Sequence, residues 1–285
     1  MANRSQNDRG GSRTSASRSR RSGEEARSEG DTLAESFYRQ LTKAARRLAG
    51  EDDEDLARTG RRIWHFLGFN RRRLGNIFQS ASKEARLTLA ALPYLLHVNL
   101  PRLPGHAGPT ANINGINNFE FNRTIADSVK TLFGMDEPPP PAPRFRPLIR
   151  SVFMSTDLGT LGQGERRTVT IYLIADTRLL GEPAQDALAN RNDDLHKWAK
   201  RRGIFLQFVL LDPNMVQNGD FGEVQGEPER GALALEQFYR EAIYISGEIP
   251  IWWCAAPDAD DREYQTATKL VERCGFGVIS AFMDL

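Results

Sequence analysis

The segment TDLGTLGQGERR, at residues 156–167, contains the residue types of a phosphate-binding loop. Its glycines, the glutamine between two of them and its closing arginines are Gly159, Gly162, Gln163, Gly164, Arg166 and Arg167. Backbone amides in a glycine-rich loop and arginine guanidinium groups both bind phosphate oxygens. However, the segment lies between two predicted strands and lacks the lysine of a Walker motif. A flexible hairpin connection therefore explains the same residues.

The histidines and cysteines do not suggest a metal site or a covalent mechanism. None of the four histidines stands four residues from another, or beside a cysteine at zinc spacing. Cys254 falls in a predicted apolar strand and Cys274 at a predicted helix end, which favours buried small side chains. The sequence has no G-x-S-x-G, Walker or Rossmann motif. We therefore expect no metal ligands among these residues.

The second half of the chain alternates strand and helix patterns. Strands are predicted at residues 148–153, 169–175, 204–211, 249–255 and 277–283. Helices are predicted at residues 183–201, 232–246 and 261–273. The run IFLQFVLL at residues 204–211 is almost wholly apolar, as in a strand covered on both faces. This alternation predicts an α/β (α+β) fold with a mixed sheet of about five strands.

The first half of the chain shows helical spacing after an unusual beginning. Residues 1–30 are rich in Arg, Ser and Gly and hold almost no large apolar side chains, so we expect disorder there. Residues 31–135 form a predicted helical region, with helices at about 56–67, 71–92 and 124–132. The proline-rich residues 136–147 are a predicted linker. Residues 148–285 are then the α/β domain.

The arginine-rich tail has two interpretations. Its first 22 residues carry six arginines against one acid, which suits RNA, DNA or an anionic lipid surface. A solubilising tail with no fixed partner is the favoured interpretation, and no aromatic residue lies among these arginines to stack on bases.

The overall composition excludes several classes of protein. The chain has 285 residues, 38 Lys+Arg and 37 Asp+Glu, so its net charge of +1 creates no dominant field for nucleic acid. No run approaches 18 apolar residues, so we expect no membrane span. Two cysteines exclude a disulfide scaffold, and the N-terminus lacks the apolar run of a secretory signal. A cytoplasmic protein is expected.

Several segments, in order, resemble the bacterial class I adenylate cyclases of the nucleotidyltransferase superfamily. These segments are VFMSTDLGTLGQGERRTVTIYLIA, LPYLLHVNLPRLPGH, FLQFVLLDPN and LEQFYREAIYISGEIPIWWCAAP. The segment Leu161-Gly162-Gln163 resembles the family's Val-Gly-Gln, and the likeness runs from about Leu92 to Leu285. It implies a nucleotidyltransferase-like sheet that binds ATP and Mg²⁺ and forms cyclic AMP.

The sequence departs from that family at the positions that carry its chemistry. The family's Gly-Ser pair falls on Thr156 and Asp157, and its Asp-x-Asp on Thr168 and Thr170. Its third carboxylate falls on Phe205. Those carboxylates hold the divalent metals, whereas a threonine hydroxyl is a poor ligand and a phenyl ring is none. The chain also ends where the family continues for several hundred residues.

These departures favour a catalytically degenerate domain, a pseudoenzyme that regulates or binds a protein partner of unknown identity and needs no cofactor. Under this interpretation no catalytic or metal site is intact, although a nucleotide could still bind at Gly159–Arg167. The alternatives are an active adenylate cyclase, or a fragment of one, that uses ATP and Mg²⁺, and a nucleic-acid-associated protein that uses residues 1–30.

Overall fold

The computed structural model describes most of the chain between residues 54 and 273. The described residues are Lys43, Gly50, 54–108, 111, 113–135, 147–160, 168–177, 180–217, 238–251, 255–256, 258–273 and 282–283. The predicted tail at residues 1–30, the predicted linker apart from Pro147, and both cysteines lie outside them. No helix within these ranges has the length and apolar character needed to cross a membrane.

Three helices precede the first strand. They are α1 (Glu54–Ser80), α2 (Lys83–His97) and α3 (Arg123–Phe133). The break between the first two falls at Ala81 and Ser82, where the Ser82 hydroxyl accepts a hydrogen bond from the Ala85 amide at 3.3 Å and caps α2. The predicted break near residue 70 and the predicted helix end at residue 92 are therefore both wrong. Helix α2 continues past Pro93 because buried leucines on either side hold its last turn in the core.

The strands form a mixed four-stranded sheet and a small parallel pair. The elements, in chain order, are β1 (Ile149–Thr156), β2 (Thr168–Ala175), α4 (Glu182–Lys200), β3 (Phe205–Leu211), α5 (Pro213–Gln217), β4 (Ile243–Gly247), β5 (Ile249–Pro250), α6 (Asp261–Arg273) and β6 (Phe282–Met283). The larger sheet has the order β3-β2-β1-β4, and β5 pairs with β6. Strand β1 is antiparallel to β2 and β4, whereas β2 and β3 run parallel. The α/β class is confirmed.

Two predicted elements need correction. Residues 243–246, placed in a helix by their apolar spacing, belong to β4, and all five residues of that strand are buried. The prediction that β3 is covered on both faces is also wrong. Phe205 is 36% exposed and Gln207 is exposed, because α4 packs on the face of β3 that carries Leu206.

The core lies between the helices and one face of the four-stranded sheet. It joins Phe78 of α1 and Leu95 of α2 to Ile171 of β2 and Leu195 of α4. Burial of such side chains is the main source of stability in a protein of this kind. The helices and the sheet therefore share one continuous apolar cluster.

A buried arginine ties α2 to α4. The guanidinium of Arg191, a residue of α4 that is 1% exposed, donates to the carbonyl oxygens of Leu95, Val98 and Ile113. Gly105 lies directly against it, since a Cβ there would be 3.1 Å from the Arg191 Cγ. Burial lowers the pKa of Arg191 to about 10, which leaves it charged at neutral pH. Arg191 thus satisfies the last carbonyls of α2 and shapes the loop that follows.

Candidate functional site

The turn after β1 is fixed by the side chain of Thr156. Its hydroxyl donates to the carbonyl oxygen of Thr168 at 2.9 Å and accepts from the amide of Leu158 at 3.2 Å. At the next residue, the carbonyl oxygen of Asp157 accepts hydrogen bonds from both the amide and the hydroxyl of Thr160. The Thr156 hydroxyl is therefore engaged by the backbone on both sides, which leaves it little capacity for a ligand.

Gly159 brings this turn against helix α1. Its φ of +73° is unfavourable for other residues, and a Cβ at this position would be 2.7 Å from the carbonyl carbon of Asn76. Glycine is thus required here for packing, so its presence is no sign of phosphate binding. The other residues proposed for phosphate binding, Gly162, Gln163, Gly164, Arg166 and Arg167, lie outside the described residues.

The sheet brings the remaining candidate positions together on one face. Thr168 is the register partner of Phe205, and Thr170 that of Gln207, in the parallel pair of β2 and β3. Ser155 of β1 is the partner of Thr170 on the other side. Residues two apart on a strand, and partners across strands, share a face. Thr168 and Thr170 are partly exposed there, so this face is open to solvent beside the threonines.

The same face becomes aromatic towards β4. Tyr172 and Phe153 are register partners, and the Phe238 ring lies edge-on to both, with centroids at 5.0 and 5.3 Å. Burial raises the pKa of Tyr172 and the charge of Glu241 adds to the rise, while a hydrogen bond with Ser155 opposes it. The open face therefore carries hydroxyl side chains at the threonines and is closed by aromatic rings at its other end.

The residues at the three positions that the resemblance assigns to the family's carboxylates do not fit a pair of magnesium ions. Magnesium needs hard, preferably anionic oxygen ligands, and the side chains here are two neutral hydroxyls and a phenyl ring. The ammonium of Lys200 lies 5.8 Å from the centroid of the Phe205 ring, so a positive charge lies close to that position. Across the described ranges, no three His, Cys, Asp or Glu side chains are placed to hold a metal ion.

The site includes residues that no sequence motif indicates. Ser155, Tyr172 and Glu241 join the face, but they come from three separate segments whose pairing only the strand register reveals. Asp212, at the end of β3, accepts hydrogen bonds from Thr177 and Asn214. Burial opposes the charge of Asp212, but these bonds outweigh it and hold the pKa below its usual range. The buried aspartate thus joins the ends of β2 and β3.

Comparison with known proteins places the chain in a family. The family model described as the adenylate cyclase NT domain matches residues 61–253, which is more than half of the chain. The chain therefore belongs to this family, the N-terminal region of the class I adenylate cyclases. No solved structure matches it.

Curated relatives agree with this assignment. The chain is 25% identical over 199 residues to an adenylate cyclase of Salmonella typhimurium, and 26% identical over 200 residues to one of Shigella flexneri. An adenylate cyclase of Escherichia coli K12 is 25% identical over 200 residues. Each match covers 68% of this chain and 23% of the relative. The chain thus matches less than a quarter of the length of these relatives.

Proposed function

We propose that this chain is a catalytically degenerate domain of the class I cyclase family that acts by binding a protein partner. The observation that carries the proposal is the adjacency of Thr168, Thr170 and Phe205 on one open face. The positions assigned by resemblance to the family's three carboxylates are neighbours in the fold. The substitutions therefore affect a single site rather than three unrelated places.

The expected loss of catalysis follows from electrostatics. In phosphoryl chemistry, metal ions and charged donors supply most of the stabilisation of the transition state. Removing even one strong donor typically costs about 10²–10³ in rate. Three ligand positions without a carboxylate should therefore abolish cyclisation, while the packed sheet retains a surface on which a partner could bind.

An active adenylate cyclase is the second candidate. Its support is the similarity to relatives that are themselves named adenylate cyclases. Because the chain matches only 23% of the length of those proteins, adenylate cyclase activity is only a hypothesis for this chain. In that case a carboxylate from elsewhere would have to replace the family's ligands.

A cyclase assay separates the two candidates. Purified full-length chain is incubated with ATP and Mg²⁺ or Mn²⁺, alongside a heat-killed sample and the double variant Thr168→Ala/Thr170→Ala. We expect no cyclic AMP above the heat-killed control. Metal-dependent cyclic AMP production above that control would overturn the proposal, and its loss in the double variant would assign catalysis to this face.

A further inference from the structure

We propose that the outward face of helix α1 binds single-stranded nucleic acid. This surface, the α1 face, consists of Arg61, Trp64, His65, Phe69 and Arg72, flanked by Arg62 and Arg73. It is separate from the open face of the sheet and from residues 1–30, and it goes beyond the proposed function.

The charge of this segment contrasts with that of the whole molecule. Residues 56–83 contain six arginines and one lysine but no Asp or Glu, although the chain as a whole has a net charge of only +1. Arg58 pairs with Glu54 and Asp55 at the start of the helix. Arg61, Arg62, Arg72 and Arg73 form no ion pair with any acidic side chain in the described ranges. This cluster of arginines, which follows the acidic run at residues 51–55, complements a polyanion.

Helical spacing places the charges and two aromatic rings on the same side. Ile63, Leu67, Leu74 and Phe78 are buried and turn one face of α1 to the core. Arg61, His65 and Arg72 fall on the opposite side and are exposed. Trp64 and Phe69 lie at the two edges of this outward side, and each is 45% exposed. They are two of the four exposed large hydrophobic residues in the described ranges.

These aromatic residues favour nucleic acid over a lipid surface. A helix that lies in a membrane interface needs a broad apolar face turned to the lipid, and the apolar face of α1 is already buried in the core. The outward face instead has arginines at its centre and single aromatic rings at its edges. Arginines that contact phosphates, with rings on which unpaired bases stack, are the chemistry of single-strand binding.

The test is fluorescence anisotropy of the full-length chain with labelled 20-nucleotide poly(dT) and poly(U), over a range of salt concentrations. The slope of log K against log salt is negative, and the variant Arg61→Gln/Arg72→Gln should make it less steep by about 1.4, since each lost phosphate contact contributes about 0.7. At 0.1 M salt that difference corresponds to an affinity about 25-fold weaker. Trp64→Ala should weaken binding at least about fivefold while leaving the slope unchanged.

Two matched controls remove the same charge elsewhere. Arg123→Gln/Lys130→Gln alters α3, and Arg18→Gln/Arg20→Gln alters the N-terminal tail, and neither should reproduce the effect of the α1 variant. Equal loss with either control, or no binding of either oligonucleotide at 50 mM salt, would overturn the proposal. Tighter binding to a 20-base-pair duplex, or binding to phosphatidylserine vesicles without binding to oligonucleotides, would also overturn it.

Discussion

The side chain of Asn70 makes two hydrogen bonds with the backbone of Tyr244, 174 residues further along the chain. Its amide nitrogen donates to the Tyr244 carbonyl at 3.0 Å, and its carbonyl oxygen accepts from the Tyr244 amide at 2.8 Å. Asn70 is 1% exposed on α1, and Tyr244 lies on β4, at one edge of the four-stranded sheet. The asparagine thus substitutes for a neighbouring strand and anchors α1 to the sheet.

We predict that Asn70→Ala destabilises the protein by about 2–3 kcal/mol, because it leaves a buried amide and a buried carbonyl without partners. In a chain of this size that corresponds to a melting temperature lower by roughly 5–10 °C. Thermal unfolding followed by circular dichroism measures the change. Asn76→Ala, at an exposed position of the same helix, is the control and should shift the melting temperature by less than a degree or two. Equal shifts for the two variants would contradict the anchoring role.

We predict a larger effect for Arg191→Met. The substitution keeps a long side chain in place but leaves the carbonyls of Leu95, Val98 and Ile113 without their donor. The expected cost is about 3–5 kcal/mol, seen as a lower midpoint in urea unfolding. Arg201→Met, at the exposed end of the same helix, should cost less than about 0.5 kcal/mol. A midpoint for Arg191→Met close to that of the unchanged protein would show that the three carbonyls find other donors.

The third prediction concerns pH and His97. Its ring is 8% exposed and stacks on Phe119, and Nδ1 accepts the Ile116 amide at 2.9 Å. Burial, and then the charge of Arg191, lower the pKa of His97 to about 4. The unfolded chain takes up this proton near its ordinary pKa of about 6.5, so stability falls as the pH drops from 6.5 towards 4. At pH 5 the loss is about 2 kcal/mol.

The measurement is the difference in unfolding free energy between pH 7 and pH 5. His97→Gln, which retains an acceptor for the Ile116 amide, should remove about 2 kcal/mol of that difference. Asn76→Ala, at an exposed and non-titrating position of α1, should leave that difference as it is. An unchanged pH dependence in His97→Gln would mean that the imidazole is not held neutral.

The fourth prediction concerns nucleotide binding by the loop at residues 156–167. We expect any ATP that this loop holds to bind weakly and without a metal requirement, since the sequence of the loop includes Arg166 and Arg167 and the positions assigned to the family's carboxylates hold no carboxylate. Calorimetry with Mg²⁺ and again with EDTA should give the same affinity, and Arg166→Gln/Arg167→Gln should abolish binding. Arg201→Gln is the control. A complex that forms only with Mg²⁺ would mean that carboxylates outside the three family positions bind the metal.

The sequence predicts where the helices and strands lie along the chain better than it predicts which of them pack or pair together. Strands β1 and β2 and helices α3, α4 and α6 lie close to the predicted spans, because their apolar periodicity is regular. The helix predicted over residues 243–246 is wrong because Leu233, Phe238, Ala242 and Ile245 fit a helical stripe as well. These residues form a strand because they pair with β1, and the local sequence pattern does not show that pairing.

The residues of the candidate site also fall into two groups: those that the sequence indicates and those that only strand pairing and packing reveal. The resemblance selected Thr168, Thr170 and Phe205, and the strand register shows that these positions share a face. Ser155 and Glu241 could not be predicted as their neighbours, because their proximity depends on strand pairing and on the short helical turn before β4. Arg191 carried no signal either, since an arginine inside a predicted helix is ordinarily a surface residue. Only the packing of α4 against the loop after α2 reveals its burial.

The hydrogen bonds from Arg191 to the carbonyls of Leu95, Val98 and Ile113 link the folding of the first half of the molecule to a residue that comes much later in the chain. Leu95 and Val98 lie 96 and 93 residues before it in the chain. Pairing over such separations requires a long loop to close first, which slows the step. On the ribosome, helix α2 must therefore wait for α4 to be synthesised before its last turn is secured. We expect its apolar leucines to stay exposed until then, and a translational pause before residue 191 to prolong that exposure.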